Sequence, residues 1–218
     1  MIELTDIKFK YENSDFKLNI GNLKINSGSS IALIGPSGCG KTTLMSLMAG
    51  ILLPHSGSIS INSHKINNFS DSQRRLFRIQ NIGFVFQDFA LIDYLSLYEN
   101  ILHPYRINSS LILDNDVKKR AKYLAEGLGI SKRLKNYPSQ TSIGEQQRCA
   151  IARALLNKPS VILADEPTGN LDPKNKEEIL DILMKYTKEN DAILIVVTHN
   201  HELLKYFDKV FNFEEFLQ

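Results

Sequence analysis

Eight consecutive residues, Gly35-Pro36-Ser37-Gly38-Cys39-Gly40-Lys41-Thr42, fit the spacing G-x-x-x-x-G-K-[ST], and Thr43 follows them. Such a run can capture a chain of phosphates. Gly35, Gly38 and Gly40 let the backbone turn its N–H groups inward without Cβ clashes. Lys41 brings a mobile positive charge to the β- and γ-phosphates, and the Thr42 hydroxyl suits Mg²⁺. Ser37 and Cys39 occupy variable positions, and Cys39 reads as a small filler. A second segment, Val161-Ile162-Leu163-Ala164-Asp165-Glu166, ends an apolar run in two acids. Asp165 can hold Mg²⁺, directly or through water. Glu166 can polarise a water for attack on a terminal phosphate.

These groups need elements that bring them together. Residues 2–10, 29–34, 58–61 and 82–86 read as strands, and 161–164 and 192–197 as two more. The continuous Val/Ile/Leu character of the last two predicts parallel strands covered on both faces. Residues 40–52 carry Leu44, Leu47, Met48, Ile51 and Leu52 at helical spacing. Asp172-Pro173 reads as the cap and first turn of another helix. From 88 to 158 the strand signals vanish. Helices are expected over about 114–128 and 142–156, the latter opened by Ser142 and Glu145 as a capping box. This alternation predicts an α/β fold on a mainly parallel sheet, with a helical insertion. Acids and polar groups that close parallel strands stand where open α/β sheets bind ligands.

In order along the chain, the motifs resemble those of ABC-type ATPases. Thr141-Ser142-Ile143-Gly144-Glu145-Gln146-Gln147-Arg148 is similar to the family's signature. Gln87, closing Ile82-Gly83-Phe84-Val85-Phe86-Gln87, resembles the Q-loop. Gly169-Asn170-Leu171-Asp172 resembles the D-loop, and His199 after Val197-Thr198 the switch histidine. Tyr11 stands where the family keeps an aromatic that stacks on adenine. The resemblance covers essentially the whole chain. Phe86-Gln87-Asp88-Phe89-Ala90-Leu91-Ile92, Leu97-Tyr98-Glu99-Asn100 and the run 164–172 look closest to the group of lipoprotein-release, macrolide-export and cell-division ATPases. Such subunits are short and lack a C-terminal regulatory domain, which this chain is expected to share.

The resemblance implies a P-loop NTPase core, an N-terminal antiparallel β subdomain and an inserted helical subdomain. Residues 1–218 would then be one ABC ATPase domain, with 1–87 and 159–218 as the nucleotide-binding core and 88–158 as the helical part. It implies ATP and Mg²⁺ as ligands. Tyr11, Gly35, Ser37, Gly38, Cys39, Gly40, Lys41, Thr42 and Thr43 would surround the nucleotide, and Thr42, Gln87 and Asp165 the metal. Lys41, Gln87, Glu166 and His199 would serve hydrolysis. Ser142, Gly144 and Glu145 would face ATP held by a second subunit, either another copy or a homologous ATPase, in a head-to-tail dimer. The family's signature usually reads Leu-Ser-Gly-Gly-Gln or Leu-Ser-Gly-Gly-Glu. Here Thr141 and Ile143 replace its Leu and first Gly, which puts bulk where the partner's phosphate approaches.

The implied activity is ATP hydrolysis that drives a separate transmembrane permease, for export or extrusion of lipoprotein, peptide or drug. A cell-division type of ATPase that signals through a membrane partner is the alternative. The 218 residues carry 43% hydrophobic and 23% charged side chains, a net charge of +2 and two cysteines. No basic block suggests a nucleic-acid partner, and no sustained heptads mark a DNA-repair type. No apolar run approaches the roughly 20 residues that span a bilayer, and the N-terminus does not read as a secretory signal. A cytoplasmic protein is expected, held at the inner face of the membrane by its permease. Leu91, Ile92, Tyr94, Leu95 and Tyr98 read either as core or as an apolar groove for that partner.

Overall fold

The computed structural model describes residues 1–169, 171 and 173–216. It begins with strands β1 (Ile2–Lys10), β2 (Lys17–Ile25) and β3 (Ser30–Ile34), then helix α1 (Lys41–Met48). Strands β4 (Ser56–Ile61) and β5 (His64–Lys65), helix α2 (Asp71–Asn81) and strand β6 (Ile82–Val85) follow. Next come helices α3 (Leu97–Ile107), α4 (Asn115–Gly127) and α5 (Ile143–Leu155). Strand β7 (Val161–Asp165), helix α6 (Pro173–Glu189) and strands β8 (Ile193–Val197) and β9 (Lys209–Asn212) complete the order.

The strands form two sheets. A four-stranded antiparallel sheet runs β2-β1-β4-β5, and a five-stranded parallel sheet runs β6-β7-β8-β3-β9. Because side chains alternate faces along a strand, neighbouring residues of the parallel sheet enter different cores. Val161 and Leu163, with Ile193, Ile195 and Val197, pack with Leu44, Met45 and Met48 of α1 and the inner residues of the antiparallel sheet. Ile162 and Ala164, with Leu194 and Val196, pack instead with Leu97, Ala121, Ile151 and Leu183 from α3, α4, α5 and α6. Apolar residues on both faces are what a parallel strand between two layers requires.

Several details depart from the periodicity reading, which did not include strands β5 and β9 or helix α2. Strand β2 was not among the expected strands. Its buried residues are Leu18, Ile20, Leu23 and Ile25, so the alternation slips by one residue at Gly21-Asn22. Helix α1 also stops at Met48 rather than running to 52. Gly50 takes φ 64°, its N–H bonds to the Leu47 carbonyl, and the Ile51 N–H bonds to that of Ser46. This is a Schellman ending, which glycine adopts without a Cβ penalty.

Between β6 and β7 no strand occurs among the described residues. Capping boxes open α3 at Ser96 and Glu99, and α5 at Ser142 and Glu145; the Asp114 side chain caps α4. Asp172, expected to cap α6, and Asn170 lie outside the described residues. Leu91 and Tyr98 pack on the core, whereas Tyr94 is 80% exposed.

Helix α5 lies unusually close to β6. A Cβ on Gly83 would stand 2.6 Å from the Ala154 carbonyl oxygen and 3.0 Å from Pro159 Cγ. Gly83→Ala is therefore expected to cost about 2 kcal/mol, as overpacked core sites do. Thermal unfolding should show the midpoint fall by roughly 4–8 °C. An unchanged midpoint would mean that α5 slides away freely.

Candidate functional site

Four parallel strands deliver their following residues to one cleft of about 900 Å³. The loop after β3 brings Ser37, Gly38 and Gly40, and α1 opens with Lys41, Thr42 and Thr43. Gln87 follows β6, Asp165 and Glu166 close β7, and His199 follows β8. All stand at carboxyl ends of the sheet, where α1 also turns its unpaired N–H groups and positive dipole end.

The loop is shaped by glycine. Gly35, Gly38 and Gly40 have φ of 151°, 77° and 110°. A Cβ on Gly40 would come within 2.3 Å of the Phe16 ring and 3.3 Å of Phe213, so the close approach needs glycine as much as the angle does. Lys41 is buried, and its Nζ donates to the carbonyls of Gly35 at 2.8 Å and Pro36 at 2.7 Å. Cys39 Sγ lies 3.7 Å from the same Nζ. The loop thus holds its own lysine at the mouth of α1.

Thr42 Oγ1 donates to Asp165 Oδ2 at 2.9 Å. A hydroxyl and a carboxylate side by side are hard oxygen donors of the kind Mg²⁺ takes. Among the described residues no group of three or more His, Cys, Asp or Glu could hold a metal ion. The protein therefore offers only part of a coordination shell here. That fits Mg²⁺, which commonly combines one or two protein ligands with phosphate oxygens and water.

Glu166 adopts φ 47°, a left-handed angle rare outside glycine, and its N–H bonds to the Val197 carbonyl at 3.0 Å. Its Oε1 is buried and accepts no hydrogen bond, with His199 Nε2 3.4 Å away. A buried polar oxygen without a donor is costly, so the arrangement leaves room for a donor such as water. Burial pushes the Glu166 carboxyl above its usual range. The adjoining His199 opposes that shift and Asp165 adds to it.

Other expected site residues stand apart. Tyr11 is 41% exposed, lies edge-on to Phe9, and shares a hydrogen bond with the Thr43 hydroxyl at 3.0 Å. Tyr11, Gly35 and Cys39 do not line the cleft, and neither do Ser142, Gly144 and Glu145 at the start of α5. There the Ser142 side chain accepts from the Glu145 N–H, and Glu145 accepts from the Ser142 N–H at 2.8 Å. That N–H first, and then Arg133 at 2.9 Å, hold the Glu145 carboxyl below its usual range. Phe16, whose ring covers Gly40, and Lys176 of α6, which lines the cleft, were not anticipated. Neither has a spacing signal, since each arrives from an element remote in sequence.

A family model described as ABC transporter matches residues 18–169. The lipoprotein-releasing system ATP-binding protein LolD of Rickettsia bellii (strain RML369-C) is 42% identical over 192 residues, 87% of this chain and 83% of that protein. The macrolide export ATP-binding/permease protein MacB of Syntrophobacter fumaroxidans (strain DSM 10017 / MPOB) is 39% identical over 203 residues, 92% of this chain but 28% of that longer protein. Among solved structures, the ATP-binding cassette MJ0796, a dimer in a post-hydrolysis state bound to ADP and Pi, superposes with a TM-score of 0.88. It is 32% identical, over 97% of this chain and 94% of that one.

Proposed function

The chain belongs to the ABC transporter family as an ATPase cassette, and from that premise we propose that it powers a separate membrane permease, working from the cytoplasmic face in export or extrusion. The observation that carries the reading is the Glu166 carboxylate oxygen, buried without a donor beside the Thr42–Asp165 pair. Phosphate-binding groups, metal-ligating oxygens and a base with an open acceptor share one cleft, which is the set that ATP hydrolysis needs.

Each residue then takes a role. Backbone N–H groups of residues 37–42 and the Lys41 ammonium bind the phosphates of ATP. Thr42, Asp165 and Gln87, which line the same cleft, would hold Mg²⁺. Bound there, the ion offsets negative charge on the phosphate oxygens. Glu166 accepts a proton from the attacking water, and His199 beside it orients that water and the terminal phosphate. Tyr11, 41% exposed, receives adenine on its ring while its hydroxyl stays on Thr43. Ser142, Gly144 and Glu145 serve the ATP of a second cassette, since they lie outside this chain's own cleft. Two cassettes closing head to tail, as copies or homologues, would complete both sites. Residues 88–158 act as the helical arm toward the permease, and the rest as nucleotide-binding core. Among the described residues no helix is long and apolar enough to cross a membrane.

Lys41→Ala tests the phosphate assignment. Loss of a charge-assisted contact should weaken ATP binding about tenfold or more. Titration with a fluorescent ATP analogue, beside a thermal melt, reads this directly. Unchanged affinity would remove Lys41 from the site.

A further inference from the structure

Two residues after Gln87 the backbone is held against its own preferences. Phe89 and Ala90 take φ of 62° and 46°, left-handed angles that residues with a Cβ seldom occupy. Arg153, near the end of α5, meets both: one guanidinium nitrogen donates to the Ala90 carbonyl at 2.6 Å and the other to that of Phe89. The Phe89 side chain is buried, so the turn is fixed from the inside as well. Burial pushes the Arg153 guanidinium below its ordinary pKa. Further along the same loop, the buried Asn100 of α3 accepts from the Ile92 N–H. It also donates to the carbonyls of Ile92, Leu95 and Ser96. The segment joining β6 to α3 is thus tied to α5 at one end and to α3 at the other.

We propose that Arg153 is a positioning residue for Gln87, holding the Phe89–Ala90 turn in its left-handed form and passing any shift of α5 to the Gln87 side chain. This rests on Gln87 serving the nucleotide cleft, as assigned above. Helix α5 has 13 residues and starts at Ile143, at the end assigned to the partner cassette's ATP. Arg153 lies ten residues on, about 15 Å along a rigid rod at helical rise. A planar two-pronged fork fixes direction as well as distance, which a lysine ammonium cannot do. The two subunits' sites would then be linked through each chain: contact with one nucleotide at the head of α5 would set the position of Gln87 at the other.

The test compares Arg153→Gln, Arg153→Lys, Ala90→Gly, Gln87→Ala and the double variants in the full chain. Steady-state ATP hydrolysis, nucleotide binding and thermal midpoint are measured for each. Arg153→Gln should lower kcat roughly tenfold, as a misplaced group does, while KM stays within about twofold. Arg153→Lys should fall between it and the parent. Ala90→Gly alone should stay within about twofold of the parent; added to Arg153→Gln it should recover most of the lost kcat, because glycine keeps left-handed angles unaided. Adding Arg153→Gln to Gln87→Ala should cost nothing further, since both act on one group. An unchanged kcat in Arg153→Gln beside a slowed Gln87→Ala overturns the proposal alone. So does a loss that glycine at 90 fails to rescue. If Gln87→Ala leaves turnover intact, the assignment of Gln87 fails and the proposal fails with it.

Discussion

Glu166→Gln is expected to slow ATP hydrolysis by about 100-fold or more, the range for a lost general base, with ATP affinity nearly unchanged. The amide keeps the shape of the carboxyl but cannot take a proton from water. Phosphate contacts come from the loop and Lys41, so binding survives. The variant should accumulate as an ATP-dependent dimer, visible as a shift to larger size on size-exclusion chromatography. The pH dependence carries the same assignment. Burial raises the Glu166 pKa, so the protonated, inactive carboxyl persists to a higher pH than in a solvated glutamate. The acid limb of the parent's rate profile should sit correspondingly high and vanish from the residual rate of the variant. Stability follows with a definite sign. The unfolded carboxyl ionises first, so stability is lost as pH rises from the ordinary glutamate range through the raised folded value. Near neutrality the ionised Glu166 is a cost, and Glu166→Gln should melt no lower than the parent, and modestly higher. Unchanged hydrolysis in this variant would overturn its role as the base.

Much of this site is visible in the sequence because each group directly follows an apolar strand. Gly35 comes after Ser30–Ile34, Glu166 after Val161–Asp165, and Thr198-His199 after Ile193–Val197. Once those strands lie parallel, their carboxyl ends share one edge, and residues more than 100 positions apart, such as Thr42 and Asp165, meet at 2.9 Å. The parallel sheet was plain from the unbroken apolar runs of β7 and β8, but its edge strand β9, Lys209–Asn212, has no such run and was not expected. The antiparallel sheet was not plain. The slip at Gly21-Asn22 hides the alternation of β2, and only the family resemblance implied that sheet. What stayed hidden at the site has one physical character. Phe16 over Gly40, Lys176 in the cleft and Arg153 on two carbonyls are meetings of side chains with distant backbone or open space. Such contacts depend on how layers pack, and no local period records them. Asn100 is the same kind of case: within α3 it looks like an ordinary polar residue, yet it is wholly buried against the preceding loop.

Ile143→Gly is expected to raise ATP turnover, by up to about 100-fold if the isoleucine now holds the partner's nucleotide about 1 Å from its working position. The backbone gives no reason for harm within one chain. Ser142 caps α5 from an extended conformation with φ −70°, and Ile143 is the first helical residue, absent from those with positive φ. The capping box with Glu145 needs the helical backbone at 143 but not its side chain. What remains is steric: the branched side chain is 53% exposed at the tip of the helix assigned to the second cassette's ATP. A Cβ added at its neighbour Gly144 would meet Leu171 Cδ2 at an ordinary contact distance of 3.5 Å, so the crowding lies on the outer side, toward the partner. Removing the Ile143 side chain opens the approach while the Ser142 and Gly144 groups stay in place. Glycine at a first helical turn costs at most about 1 kcal/mol of helix stability, and the intact cap limits that loss. Affinity of the single subunit for ATP should not change, because Ile143 does not line its own cleft. Turnover by the complete complex, measured beside nucleotide binding by the single chain, separates the two effects. A homodimer would gain at both sites. A pairing with a homologous cassette that already carries glycine would gain at one, so the size of the gain also reports which assembly forms. If the glycine variant turns over no faster than the parent, the isoleucine fits the closed dimer and imposes no handicap.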